Sequence, residues 1–113
     1  MTLINDKTND TYRSFIKINA LYINNCSFES LHYIYFDNCL TVSKCTFNMI
    51  STISGYMYSD TSNTFSNIII FTMRIYDQYE CSFSKISHFT LLYAWQTRNT
   101  FTGVSNSSFI QQN

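Results

Sequence analysis

The chain has no proline and only two glycines, Gly55 and Gly103, among its 113 residues. That scarcity excludes collagen-like sequence, proline-rich segments and flexible glycine linkers. Charge is scarce too. Seven basic and seven acidic side chains make up 12% of the residues and sum to zero, where a soluble domain usually carries about a quarter. A neutral balance with scattered lysines and arginines argues against nucleic acid as a partner, because phosphate binding needs a basic surface. Apolar runs such as Ile68-Ile69-Ile70-Phe71 are far short of the roughly 20 residues of a membrane span. No apolar stretch of signal-peptide length follows Met1 to Lys7. The compartment is left open: surface or extracellular for a fragment of a longer protein, cytoplasmic otherwise.

What is present is a chain 45% apolar and 18% aromatic, with 40 residues of Ser, Thr and Asn standing in for the missing charge. That apolar content excludes a solvated disordered tail, and the length suits one domain. Four cysteines (Cys26, Cys39, Cys45, Cys81) match no zinc-ligand spacing. Three Asn-x-Ser/Thr sites, at Asn9, Asn25 and Asn106, are expected by chance in such a composition.

A repeat organises the rest. Phe28, Phe47, Phe65, Phe83 and Phe101 are spaced by 19, 18, 18 and 18 residues. Before each stands Ser27, Thr46, Thr64, Ser82 or Thr100, and one further back Cys26, Cys45, Asn63, Cys81 or Asn99. Three after each comes Leu31, Ile50, Ile68, Ile86 or Val104. Between the motifs the pattern alternates with period two: Ile34, Ile53, Phe71 and Phe89, then Phe36, Gly55, Met73 and Leu91, then Asn38, Met57, Ile75 and Tyr93. That is the strand signature, and no apolar stripe of period 3.6 competes with it. Ile16, Ile18 and Ala20 continue the same columns one period earlier.

These features predict an all-β domain, a short parallel β-solenoid of five to six rungs of about 18 residues. Each rung stacks about 4.8 Å above the last. Residues 1–10 are expected as a tail or cap, 11–109 as the solenoid and 110–113 as a C-terminal tail. The Phe, aliphatic and Cys/Asn columns are expected to fill the interior as ladders. With so little Gly and Pro, Asn, Ser and Asp are expected to carry the corners, since Asn tolerates the left-handed conformation best among non-glycines.

The rungs Ile23-Asn24-Asn25-Cys26-Ser27-Phe28 and Val42-Ser43-Lys44-Cys45-Thr46-Phe47 resemble those of the right-handed parallel β-helix, or pectate-lyase-like, superfamily. They are also similar to the Cys-x-Phe rungs of repeat-rich microbial surface proteins such as polymorphic outer-membrane proteins. The resemblance implies rung geometry over residues 11 to 109. It departs from the polysaccharide-cleaving members, because there is no Asp-Asp pair and no Gly-His-Gly. It departs from the outer-membrane proteins, because their Gly-Gly-Ala-Ile repeats are missing. Left-handed hexapeptide helices also have 18-residue rungs, but their glycines and six-residue aliphatic repeat are absent, which favours the right-handed form.

Candidate chemistry is thin. His32 and His88 fall three rungs apart, about 14 Å along the stack, too far to share a metal. Asp60 and Asp77 are the nearest stackable acids and read as corner caps. Cys26, Cys45 and Cys81 read as a ladder of buried free thiols, with a Cys26–Cys45 disulfide as the alternative. No metal or cofactor is expected, and no catalytic constellation stands out. Two surfaces invite binding: the hydroxyl ladder Thr46, Thr64, Ser82 and Thr100, and an aromatic group including Tyr56, Tyr58, Tyr76 and Tyr93. The expected function is therefore a non-enzymatic structural or interaction module that meets a protein partner, or itself, through the solenoid ends. Carbohydrate binding or processing on the tyrosine flank is the first alternative. Ice binding through the Ser/Thr ladders is the second.

Overall fold

The computed structural model describes the backbone of residues 2–4 and the whole of residues 15–112. It is all-β. The strands are β1 (Thr2–Ile4), β2 (Phe15–Ile18), β3 (Tyr22–Asn24), β4 (Ser27–Ser43), β5 (Thr46–Thr61), β6 (Thr64–Tyr79), β7 (Ser82–Thr97), β8 (Thr100–Val104) and β9 (Ser107–Gln111). Every pairing between them is parallel, and the whole forms a β-solenoid of about five turns. The first turn is supplied by β1, β2 and β3 on β4, and the last by β8 and β9 on β7. The boundary expected near Thr11 lies outside the described residues. At the other end strand pairing continues through Gln111, opposite Tyr93.

The register explains the repeat. From β5 to β7 every partner lies 18 residues away, so Phe47, Phe65 and Phe83 are superposed, as are Ile50, Ile68 and Ile86. The five Phe rings stack with centroids 5.0, 4.7, 5.0 and 5.1 Å apart and planes within 7° of parallel. A second stack, Phe71 on Phe89 at 4.9 Å, meets the first edge-on at 5.1 to 5.6 Å. Offset-parallel and edge-to-face contacts of this kind add to the burial of aromatic area.

One rung differs. β4 pairs with β5 at an offset of 19 from Ser27 to Phe36, then at 18 from Cys39 onward. The extra residue lies between Phe36 and Cys39, where Asn38 takes φ 56° and is exposed. Cys39 rather than Asn38 therefore sits over Met57 in the interior column. Counting from the Phe missed this because a bulge moves every later residue by one. Opposite Phe36 stands Gly55 with φ +125°, where an added Cβ would lie 2.1 Å from the Phe36 carbonyl oxygen. Only glycine fits there.

Corners fall in two columns of left-handed backbone. Three residues before each Phe, Asn25, Lys44, Ser62, Glu80 and Arg98 have φ between 53° and 56°. Two after it, Ser30, Met49, Asn67, Lys85 and Gly103 have φ between 54° and 65°. Asn and Ser were expected; Lys, Glu, Arg and Met were not, and no Asp adopts this conformation among the described residues. The left-handed conformation costs a non-glycine about 1–2 kcal/mol. Here the corner amides recover bonding to the next rung, as in Ser62 N–H to Tyr79 C=O and Glu80 N–H to Thr97 C=O, both 2.9 Å.

Position along the stack should set the cost of losing a ring. Phe65 is fully buried between two like rings, whereas Phe101 has a neighbouring rung on one side only. We expect Phe65→Ala to lower the unfolding free energy by about 3–5 kcal/mol and Phe101→Ala by well under half as much. Urea unfolding of the two variants checks the ordering.

Candidate functional site

Three features could carry function: the Ser/Thr ladder, the tyrosine-bearing face, and a polar column inside the solenoid. The first follows the motif. Thr46, Thr64, Ser82 and Thr100 are in register and exposed, with Ser27 half-buried below them. Across the Phe column runs Glu29, Asn48, Ser66, Ser84 and Thr102. Part of this second row is tied to itself: Asn48 Nδ2 donates to Glu29 Oε1 at 3.2 Å and Ser66 Oγ to Asn48 Oδ1 at 2.9 Å.

The tyrosines separate into three positions. Tyr58 and Tyr76 are exposed and stacked, centroids 4.8 Å apart and planes 8° from parallel. Tyr56 is half-buried in the outward column that continues with Arg74 and Leu92. Tyr93 belongs instead to the interior column over Ile75 and is half-buried there. The structure thus brings Tyr56, Tyr58 and Tyr76 to one face and sets Tyr93 behind it.

The polar column was not anticipated. Val42, Asp60, Gln78 and Gln96 stack in register, and Asp60 and Gln78 are fully buried. Asp77, expected beside Asp60, pairs with Ser59 and is exposed, because adjacent residues of a strand face opposite ways. Two backbone amides set the direction of every hydrogen bond in the network. Cys45 N–H donates to Asn63 Oδ1 at 2.8 Å, so Asn63 turns its amide NH₂ to Val42 C=O at 2.7 Å and to Asp60 Oδ1. Cys81 N–H donates to Asn99 Oδ1 at 2.8 Å, so Asn99 gives its NH₂ to Gln78 Oε1, also at 2.8 Å. Gln96 donates to that same oxygen at 3.1 Å, and Gln78 is left to present its own NH₂ to Asp60 Oδ2 at 2.9 Å. Both carboxylate oxygens face donors, the pattern of an ionised acid. Burial opposes ionisation and outweighs these donors, holding the Asp60 carboxyl above the ordinary aspartate range.

The four cysteines are free and buried. Cys26, Cys45 and Cys81 share a column with Asn63 and Asn99, and each thiol donates to a carbonyl: Cys26 to Asn24 at 3.4 Å, Cys45 to Ser43 at 3.2 Å, Cys81 to Asp60 at 3.2 Å. Cys39 lies in another column and donates to Ile18 C=O at 3.3 Å. Burial pushes the thiols of Cys39, Cys45 and Cys81 up. His32 is half-buried with Nδ1 unpartnered, while His88 is exposed opposite Ile70. Among the described residues no three His, Cys, Asp or Glu side chains converge on one point, and no helix is long and apolar enough to cross a membrane.

A scan against protein-family models, a search of curated proteins and a search of solved structures each returned no match. The functional reading therefore rests on this geometry.

Two predictions follow from the interior. Because the Asp60 carboxyl is raised in the fold, its contribution to stability is full below the unfolded value of about 3.9 and is lost as pH rises through the folded value. The urea midpoint should fall over that window in the parent chain. Asp60→Asn should abolish this fall and, by setting an amide donor against a fixed amide donor, cost about 1–3 kcal/mol. Separately, Cys39, Cys45 and Cys81 should resist a disulfide-exchange reagent at pH 8 in the native state and react at once in denaturant.

Proposed function

We propose that the protein is a non-enzymatic structural and interaction module that assembles through the ends of its solenoid. One observation carries this reading. Phe83, inside the stack, is 1% exposed, whereas Phe101 in the equivalent position of the last rung is 36% exposed. Beside it Phe109 and Ile110 are also exposed, and among the described residues β8 and β9 pair only with β7. The end thus presents unpaired strand edges above an open aromatic ladder. Such an edge is a template for another strand. At the opposite end Phe15, Leu21 and Tyr22 are likewise exposed. A further rung, from a second copy or from a partner chain, would extend the Phe ladder at the spacing of about 5 Å that it already has.

The pectate-lyase-like resemblance supports the rung geometry of this reading and supplies no catalytic residues to it. Light scattering after size exclusion, over a range of concentrations, tests the proposal. We expect mass to rise with concentration in the parent chain, and a folded monomer for the double variant Phe109→Glu/Ile110→Glu. A parent chain that stays monomeric throughout would overturn it.

A further inference from the structure

The tyrosine face contains an interrupted ladder. Its outward column runs Leu40, Tyr58, Tyr76, Ala94 and Gln112, each one rung above the last. Tyr58 and Tyr76 stack as two rings of a continuing pile. At the third rung the residue is alanine. Above Tyr76 this leaves a hollow of about 220 Å³, lined by Tyr56, Arg74, Tyr76, Leu92, Ala94 and Gln112 among others. Gln112 lines its upper side, held by its backbone N–H, which donates to Tyr93 C=O at 2.7 Å. From the Tyr76 rung to the Gln112 rung is two steps, about 9.6 Å. That height admits one ring at the spacing of 4.8 Å that Tyr58 and Tyr76 already have.

The chemistry of the walls narrows the occupant. One face is the Tyr76 ring, the floor is the Ala94 methyl, and the side is Leu92. Arg74 stands in the adjoining outward column, exposed and without an ion pair among the described residues. No acidic residue lines the hollow. A guanidinium in that position binds a carboxylate with paired hydrogen bonds.

We propose that this hollow is a binding site for a small planar aromatic anion. The ring takes the place of the missing third rung of the tyrosine stack, and its carboxylate meets Arg74. The side walls and the stacking ring of the site lie on β5, β6 and β7, while Gln112, on its upper side, belongs to the terminal rung.

The test uses 2-naphthoate, with uncharged 2-naphthamide and non-planar cyclohexanecarboxylate as comparators, followed by calorimetry and by the ring resonances of Tyr76. Naphthoate is expected to bind at least tenfold more tightly than either comparator and to shift Tyr76 but not Tyr33. Ala94→Tyr completes the ladder with protein and should abolish binding while leaving the far-ultraviolet spectrum and melting temperature as high as in the parent. Ala94→Leu offers the same filling if the larger ring perturbs the fold. Arg74→Gln should bring naphthoate down to the affinity of naphthamide, about a tenfold loss. The proposal is overturned if naphthoate does not bind at millimolar concentration, or binds equally well to a folded variant with position 94 filled.

Discussion

Everything in this molecule depends on like residues lying over like residues in parallel, in-register strands. In an antiparallel sheet a side chain opposes one of different sequence context. In this solenoid a column repeats a single choice every 18 residues, so the choice is multiplied along the stack. A column of Phe becomes a continuous aromatic pile, and a column of Ile a continuous aliphatic seam. Contacts are then between neighbouring rungs, and stability accumulates as a sum of rung-to-rung terms. The same rule explains how the chain manages its corners without proline and nearly without glycine. At the corner before the Phe, Asn25, Lys44, Ser62 and Glu80 all take left-handed backbone while the next rung accepts their amides, whatever the side chain.

The interior is not uniformly apolar, and its polar part is ordered by the backbone. The Cys/Asn column faces backbone amides and carbonyls at the corner of the rung. Cysteine answers by donating a thiol proton to a carbonyl. Asparagine does more, accepting from one backbone amide and donating from its own NH₂. Once Asn63 and Asn99 are oriented by Cys45 and Cys81, the amides of Gln78 and Gln96 have only one consistent arrangement. Asp60 sits where two of those donors converge. A buried polar group costs stability unless it is bonded, and here each one in the chain from Asn63 to Gln96 is.

The rung length, the Phe, aliphatic and Cys/Asn columns and the parallel solenoid were legible in the sequence, because ladder stacking writes the structure as a repeat. Departures from the repeat were not. Asn38 and Cys39 exchange places between interior and corner because a bulge inserts one residue, and nothing in the local composition marks it. Asp60 resembled a corner residue because its partners, Asn63 and Gln78, lie in another column or another rung and the bonds to them are visible only in space. For the binding surfaces, the hydroxyl ladder followed directly from the motif. The tyrosines did not sort by column until the register placed Tyr93 inward and Tyr58 and Tyr76 together on the outside. The gap at Ala94 is a residue that breaks a column, and it carries meaning only once the column is known.

The lone 19-residue rung has a consequence for uniqueness. A stack of equal rungs is translationally degenerate: a turn displaced by one period meets almost the same neighbours, so misaligned intermediates compete with the native one. The pairing of the bulged β4 with Gly55 breaks that degeneracy. Phe36 brings its carbonyl so close that only a residue without a Cβ can lie above it, and the chain has one such residue in that column. The irregular turn thus acts as an index mark, giving the regular rungs that follow it a fixed point from which they are counted.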